Sequence, residues 1–214
     1  MDKNNDHVLI ADDHEIIRYG LRSLLEANIP GSGVTEAESY ETLTSILRQK
    51  PFTHLVLDLQ LADVNMIEKF PVIRERYPDM RIMAYGMFNE MIYAKLLLNM
   101  GADGFLHKEC TQVETIFALQ QFLTTGFYVS SRIILHQLSL DHDNASSYNP
   151  FLKLSFKEMQ MANLILQGES AKQIRYSMQL KSSTVSTLKT RIFEKLQVGN
   201  IIELVKLAAV HSII

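Results

Sequence analysis

The sequence predicts a doubly wound α/β domain with a five-stranded parallel sheet, followed by a small all-helical domain. Five short apolar runs alternate with five amphipathic helix candidates between His7 and about Thr125. Residues 139–150 form a polar stretch rich in Ser, Asn and Asp that closes with a proline, a composition typical of a linker. Beyond this stretch, the apolar residues recur with helical spacing.

The strand candidates are short apolar runs, each bounded by polar residues. Four of them are clearly delimited: His7–Ala11, residues 53–57, residues 81–85 and Gly104–His107. Helix candidates separate the strands. Two of their apolar stripes comprise Ile17, Leu21, Leu24 and Leu25 after the first strand, and Val72, Ile73 and Tyr77 after the third. The fourth and fifth helices are expected over residues 91–100 and 113–123.

Four helices are predicted in the second part. Ser155 can cap the first helix and form a capping box with Glu158, and Gly168 ends it. A short helix follows Ser170, and a third begins near Ser182. The apolar sides are Met161, Ala162, Leu164 and Ile165 in the first helix and Val185, Leu188, Ile192 and Leu196 in the third, and the last helix covers residues 201–210.

Composition is that of an ordinary globular protein of two small domains. The chain has 214 residues, of which 47% are hydrophobic and 21% charged. No apolar run approaches the roughly 18 residues of a membrane-spanning helix. The first residues have no apolar segment typical of a secretory signal. Cys110 is the single cysteine, which excludes an internal disulfide and fits a cytoplasmic protein.

The net charge of −3 conceals an asymmetry between the two parts. Residues 1–140 carry 12 basic and 18 acidic side chains, a balance of −6, and Asp141 and Asp143 add −2. Residues 151–214 carry 9 basic and 4 acidic side chains, a balance of +5. A compact basic segment suggests a polyanionic partner.

Three carboxylates and one lysine stand at the ends of predicted strands. Asp12 and Asp13 follow the first strand, Asp58 the third, and Lys108 the fifth. The carboxyl ends of parallel strands meet at one edge of a sheet, so these side chains are expected to converge. Clustered carboxylates favour a hard divalent cation, typically Mg2+. Asp58 could then accept a phosphoryl group, which Lys108 could contact. Alternatively, each acid merely caps a helix, as Asp13 could do.

Two families are similar to the two parts of the chain. Residues 7–125 resemble the receiver domain of two-component response regulators, and residues 152–210 resemble the LuxR-type helix-turn-helix. The first resemblance is carried by Asp12-Asp13, Asp58 and the run Gly101-Ala102-Asp103-Gly104-Phe105 leading to Lys108. The second is carried by Leu154-Ser155-Phe156-Lys157-Glu158, Gly168, Ile174, Thr184-Val185, Lys195-Leu196 and Leu204. Together they resemble a regulator of the NarL/FixJ class, with a segment at residues 184–191 similar to its BvgA-like members.

The resemblance implies a DNA-binding transcription regulator, not an enzyme. It implies a receiver domain over residues 1–126, a connecting helix and linker over 127–151, and a DNA-binding domain over 152–214. Asp58 would be the phosphoacceptor, modified by a sensor histidine kinase, and Lys108 would contact the phosphoryl group. The metal ligands implied for Mg2+ are Asp12, Asp13, Asp58 and the backbone carbonyl of Gln60. Phe105 would be the aromatic switch residue, although simple core packing explains its presence equally well.

Several positions depart from the family pattern. Gly86 stands where the family places a Ser or Thr whose hydroxyl bonds the phosphoryl oxygen, and no Ser or Thr lies between Thr53 and Thr111. The loss of that contact suggests an alternative, an atypical regulator that binds DNA independently of phosphorylation. In the second part, Arg175 replaces a small alanine. Lys181 replaces a common Ser cap, so Ser182 is expected to cap the third helix instead.

The third helix presents a polar face that can enter a DNA major groove. Lys181, Lys189 and Arg191 are expected to neutralise phosphates, whereas Ser186, Thr187 and Thr190 would face base edges. The predicted DNA-binding set is Lys181, Ser182, Thr184, Ser186, Thr187, Lys189, Thr190 and Arg191. The alternative is a solvated helix face that contacts nothing.

Apolar residues of the last helix exceed the needs of one small core, which favours a homodimer. A two-fold dimer would bind an inverted repeat in DNA. Two other classes of function are alternatives. One is an enzyme with an aspartyl-phosphate intermediate, but the sequence indicates no second positioned acid and no substrate pocket. The other is a protein-binding adaptor that no longer contacts DNA.

Overall fold

The computed structural model describes residues 7–62, 64–134, 150–211 and 213. The chain forms two compact units, residues 1–142 and residues 143–214.

The first unit contains a five-stranded parallel sheet with the strand order β2-β1-β3-β6-β7. Its strands are β1 (His7–Ala11), β2 (Gly33–Ala37), β3 (His54–Asp58), β6 (Arg81–Gly86) and β7 (Gly104–His107). A two-stranded antiparallel ribbon, β4 (Gln60–Leu61) and β5 (Val64–Asn65), follows β3. The sequence did not predict this ribbon, because two-residue strands carry no detectable periodicity.

Five helices alternate with the strands of the sheet. They are α1 (Glu15–Asn28), α2 (Tyr40–Gln49), α3 (Met66–Arg76), α4 (Glu90–Asn99) and α5 (Gln112–Thr125). On one face, Val56 and Met83 of the sheet join Leu25 of α1 and Phe122 of α5 in a continuous buried cluster. Successive strand residues point to opposite faces, and both faces are buried, as in doubly wound folds. The predicted fold class is confirmed.

Three details of the first unit differ from the sequence-based expectation. Strand β3 begins at His54 and includes Asp58, and β6 extends through Gly86, so both residues end strands instead of following them. Val72 is 56% exposed and does not belong to the apolar side of α3. That side consists of Met66, Ile67, Phe70 and Ile73, which repeat every three or four residues and leave position 72 outward.

The second unit is helical. A 3-10 turn, Pro150–Lys153, precedes α6 (Phe156–Leu166), α7 (Ala171–Ser177), α8 (Ser182–Leu196) and α9 (Ile201–Val210). The capping box of Ser155 and Glu158 is present, and Gly168 has the left-handed φ of 83° that terminates α6. Residues 131–134 are helical, whereas the rest of the predicted connecting helix and linker, up to Asn149, lies outside the described residues. Among the described helices, none has the length and apolarity required to cross a membrane.

Candidate functional site

Asp12 and Asp58 lie side by side at the carboxyl edge of the sheet. Ala11 of β1 pairs with Leu57 of β3, so the next residue of each strand reaches the same edge. Both aspartates are buried. The Asp12 N–H donates to Ala37 O at 3.1 Å, which extends the β1–β2 ladder up to the acid. Strand register therefore brings together two carboxylates that are 46 positions apart, the difference between their residue numbers.

Lys108 bridges these two carboxylates. Its Nζ lies 2.6 Å from Asp12 Oδ2 and 2.9 Å from Asp58 Oδ2. The Lys108 N–H donates to Gly86 O at 3.0 Å, which anchors the backbone at the end of β7. Burial favours loss of the proton, but hydrogen bonds to both aspartates outweigh it and raise the pKa of Lys108. The lysine is therefore a permanent positive charge in the site.

Asp58 has a higher pKa than an ordinary aspartate. Burial raises its pKa to about 6, against the opposing effect of the Gln60 N–H and of Lys108. The Gln60 N–H donates to Asp58 Oδ1 at 3.1 Å, and Lys108 holds Oδ2. Each carboxylate oxygen thus has one donor, which fixes the orientation of the group.

Four side chains form a group able to ligate a cation. Asp12, Asp13, His14 and Asp58 place one potential ligand atom each within 4.8 Å of one another. Asp12 and Asp58 are buried, while Asp13 and His14 are exposed, so the group opens to solvent on one side. The sequence prediction brought together the three aspartates but missed His14. Its only signal was its position directly after the acid pair.

His14 adds an imidazole ring to this group. Its Nδ1 lies 2.8 Å from Asp13 Oδ1 and 3.1 Å from Asp12 Oδ1. The His14 N–H also donates to Asp12 Oδ1 at 2.9 Å. Because the imidazole is largely exposed, it can rotate away and leave the aspartate oxygens to a cation.

Arg18 supports the acid pair from beneath. Its Nη1 donates to the carbonyl oxygen of Asp12 at 2.8 Å, and its Nε donates to Glu36 Oε2 at 3.0 Å. The guanidinium is buried and carries its own carboxylate partner, so it positions the backbone of Asp12 without adding an unpaired charge.

In the second unit, α8 has one buried and one exposed polar face. The predicted inward residues Val185, Leu188, Ile192 and Leu196 are all buried. The predicted DNA-binding residues are exposed, apart from the half-buried Lys189, whose Nζ lies 5.4 Å from the centroid of the Phe193 ring. The N-cap of α8 is Lys181, which makes no side-chain capping hydrogen bond. The prediction that Ser182 caps this helix is wrong, because Ser182 already has a helical position.

Hydroxyl groups on the exposed face of α8 are bonded to the helix itself. Ser186 Oγ donates to Ser182 O at 3.2 Å, Thr187 Oγ1 to Ser183 O at 2.9 Å, and Thr190 Oγ1 to Ser186 O at 3.1 Å. Each oxygen still has a free lone pair, so the face presents acceptors and two methyl groups outward. Such a face suits donor groups and thymine methyls in a major groove.

An ion pair between the buried Glu158 of α6 and the half-exposed Lys195 of α8 holds the two helices together. Glu158 Oε2 accepts from the Ser155 N–H at 2.7 Å and from Lys195 Nζ at 2.6 Å. Burial raises the pKa of Glu158, but the bonds from Lys195 and Ser155 prevail and lower it overall. Glu158 therefore takes part in the capping box of α6 and also links this helix to α8.

Comparison with known families assigns both units. Residues 8–120 match the response regulator receiver domain, and residues 152–208 match the bacterial regulatory proteins of the luxR family. The chain belongs to the response regulators.

Similar response regulators match along nearly the whole chain. The response regulator GacA of Pseudomonas protegens is 31% identical over 97% of this chain and 97% of its own. The response regulator UvrY of Escherichia coli is 26% identical over 97% of this chain and 95% of its own. The structure of RcsB from Salmonella enterica serovar Typhimurium bound to promoter rprA has a TM-score of 0.60 and 25% identity, covering 96% of this chain and 99% of that one.

In this response regulator, an aromatic ring fills the space beside Gly86. A Cβ placed on Gly86 would lie 2.9 Å from Phe88 Cδ2 and 3.3 Å from Leu59 Cδ1. The ring of Phe88 also packs 4.9 Å from that of Tyr93 in α4, centroid to centroid. Any side chain at position 86 would therefore require the Phe88 ring to shift. The sequence analysis identified the missing hydroxyl at position 86 but not the Phe88 ring beside it. Two residues so close in sequence give no indication of whether their side chains are in contact.

Phe105 is fully buried in β7, opposite Ala84 of β6. It packs on the sheet face opposite to Leu106, which belongs to the cluster under α1 and α5. Its role as a switch residue stays a prediction, as does the use of the Gln60 carbonyl as a metal ligand.

Proposed function

We propose that this response regulator accepts a phosphoryl group on Asp58 from a sensor histidine kinase and controls transcription by binding DNA. The observation that carries the proposal is the bridge from Lys108 to both Asp12 and Asp58, at 2.6 and 2.9 Å. A lysine held by two buried carboxylates is a cation ready to contact phosphoryl oxygens. The proposed domain limits are 1–126 for the receiver, 127–151 for the connection and 152–214 for DNA binding.

Phosphoryl transfer follows from the orientation of Asp58. One of its carboxylate oxygens attacks the phosphorus of a phosphohistidine, the P–N bond breaks, and the imidazole nitrogen keeps the electron pair. Lys108 then moves from the carboxylates to an oxygen of the transferred group. The proposed holders of Mg2+ are Asp12, Asp13, Asp58 and the carbonyl of Gln60. When bound, Mg2+ neutralises the negative charge that the aspartates and the phosphoryl group share.

Incubation with a small phosphodonor such as acetyl phosphate tests this part of the proposal. Intact-protein mass should increase by one phosphoryl group in the presence of Mg2+ and not after chelation. Asp58→Ala should abolish the increase, whereas Asp79→Ala, at an exposed aspartate outside the site, should leave it intact. Equal labelling of Asp58→Ala and the unaltered protein would remove Asp58 as the acceptor.

DNA binding is proposed for the exposed face of α8. In a helix-turn-helix the second helix enters the major groove, and α7 and α8 form such a pair. The proposal is supported by the RcsB structures, one bound to promoter rprA and another, 27% identical with a TM-score of 0.60, bound to promoter P1flhDC. Since its targets are DNA, we also propose a cytoplasmic location.

A homodimer is proposed through α9. Ile201, Ile202 and Val205 are exposed on this helix, while Leu204 and Ala208 fill its own core. An apolar face of this kind is suited to the same face of a second copy, and a two-fold pair of α8 helices would read an inverted repeat.

DNA binding independent of phosphorylation is the alternative that Gly86 suggests. The complete set of Asp12, Asp58 and Lys108 and the kinship with response regulators favour control by phosphorylation instead. Target expression distinguishes the two: Asp58→Ala should change it if phosphorylation controls the regulator. Unchanged expression would select the alternative.

A further inference from the structure

Arg175 lies on α7 and faces the beginning of α8. Its neighbour Ile174 is buried, which turns Arg175 outward. The side chain lines an open groove of about 330 Å³ together with Lys172, Ser182, Val185 and Ser186. One wall of this groove is therefore basic and belongs to α7. The other wall is the first turn of α8, the part of a recognition helix that comes closest to base edges.

The guanidinium of Arg175 has no acidic partner among the described residues. The same holds for Lys172, although Glu169 lines a neighbouring groove with both of them. In the first unit, by contrast, Arg18, Arg74 and Arg81 each pair with a carboxylate within 3.0 Å. An unneutralised arginine beside a polar groove is available for an anion from outside the chain.

We propose that Arg175 binds a DNA phosphate at the edge of the major groove that α8 enters. The proposal rests on the proposed DNA-binding function and deepens it. In helix-turn-helix proteins the first helix crosses the DNA backbone while the second reads bases, so a cation on α7 that faces the start of α8 meets the phosphates flanking that groove. The planar guanidinium can donate two parallel hydrogen bonds to one phosphate. Such a contact adds affinity and orientation but no sequence preference.

Salt dependence measures this contact without knowledge of the target sequence. The probe is a fluorescent duplex of mixed sequence, and anisotropy gives its affinity for the full-length protein between about 50 and 200 mM KCl. Arg175→Ala should reduce the slope of log affinity against log salt by about 0.9 for each bound chain, since one phosphate contact is lost. Over this fourfold range of salt concentration, the factor by which affinity falls should then be about 3.5 times smaller than in the unaltered protein for each bound chain.

Two further variants separate a phosphate contact from a general effect of charge. Lys206→Ala removes one exposed positive charge from α9, outside the helix-turn-helix, and should leave the slope nearly unchanged. Arg175→Lys should retain most of the slope, because it keeps the charge. Unchanged thermal unfolding of Arg175→Ala should accompany its smaller slope, since the side chain is exposed.

The outcomes distinguish this inference from the function on which it rests. If the unaltered protein shows no salt-dependent affinity for the duplex, the proposed DNA binding fails. If it binds but Arg175→Ala keeps the full slope, or Lys206→Ala loses as much, the assignment of Arg175 is overturned and DNA binding stands. Equal slopes with a changed preference between two duplexes of different sequence would make Arg175 a base contact, also against the proposal.

Discussion

At the scale of single residues, two contacts define the site at the carboxyl edge of the sheet. In the receiver site, one ammonium group bridges two buried carboxylates, because the strand order β1-β3-β6-β7 leaves Lys108 two strands away from Asp58 and only a long side chain spans that distance. Beside it, one glycine admits one phenylalanine ring. The consequence of each contact can be measured by single substitutions.

The pair of Gly86 and Phe88 is expected to block restoration of the family's hydroxyl. In Gly86→Thr, the new Cβ would collide with the Phe88 ring, 2.9 Å away. Gly86→Thr alone should therefore add little to the effect of phosphorylation on DNA affinity. Gly86→Thr combined with Phe88→Ala should increase that effect about tenfold, the equivalent of one charge-assisted hydrogen bond.

Fluorescence anisotropy with and without phosphodonor measures this effect, and Phe88→Ala alone is the control for the loss of the ring. An increase in Gly86→Thr as large as in the double variant would mean that the ring moves aside freely.

Glu158 is expected to stabilise the helical domain only in its ionised form. Its folded pKa is lower than its unfolded pKa, so its contribution is present above the unfolded value and is lost as the pH falls through the folded value. Glu158→Gln should lower the free energy of unfolding at pH 7 by about 1–3 kcal/mol. Below the folded pKa, the curves of the two proteins should converge.

Urea denaturation as a function of pH measures both effects. Lys195→Met, which removes the half-exposed partner, should cost less than Glu158→Gln. A constant difference between Glu158→Gln and the unaltered protein at all pH values would contradict the role of ionisation.

At the scale of elements, α8 combines a well-packed apolar side with a weak beginning. Four buried residues hold the helix in place, whereas its N-cap, Lys181, offers no oxygen to the free backbone N–H groups of the first turn. The neighbouring helices α6 and α7 both begin with a serine in a capping box. A lysine at this position is suited to contact a nearby phosphate, but it leaves the first turn of α8 without a capping hydrogen bond.

Lys181→Ser is expected to separate stability from DNA binding. The hydroxyl can cap α8 and should increase the free energy of unfolding by about 0.5–2 kcal/mol. Loss of the charge should weaken binding to a mixed-sequence duplex, measured by anisotropy. In Lys181→Ala, which loses the same charge but has no oxygen, binding should weaken equally without a gain in stability. A Lys181→Ser protein that is no more stable than Lys181→Ala would rule out the capping argument.

At the scale of the whole molecule, the apolar face of α9 is expected to set the oligomeric state. Ile202→Asp puts a charge at a side chain that is 68% exposed and next to Val205 on the helix surface. Sedimentation should show a shift from dimer to monomer under phosphorylating conditions, with weaker binding to an inverted repeat. Val210→Asp is the matched control, since Val210 is 77% exposed but lies about 140° around the helix from Val205. Equal effects of both substitutions would exclude a defined interface on α9.

The sequence by itself determined the order of elements and the chemistry at their ends. Alternating apolar runs predicted the α/β part, and the helical spacing of Val185, Leu188, Ile192 and Leu196 predicted the buried side of α8. Acids and a lysine at the ends of strands predicted one shared site, because the direction of parallel strands is a property of the fold class. These signals are local or follow from a general rule of sheet geometry.

Only the tertiary structure decided which side chains meet within that site. Strand order and the length of its side chain let the Lys108 ammonium contact both Asp12 and Asp58, and the path of the chain after β6 turns Phe88 back onto Gly86. It also showed that Lys181, not Ser182, occupies the N-cap position of α8 and that Val72 faces outward. Distances of this kind depend on how elements pack and on where each one begins to within a residue. Neither is encoded in the periodicity of a single segment, because packing is a property of several segments at once.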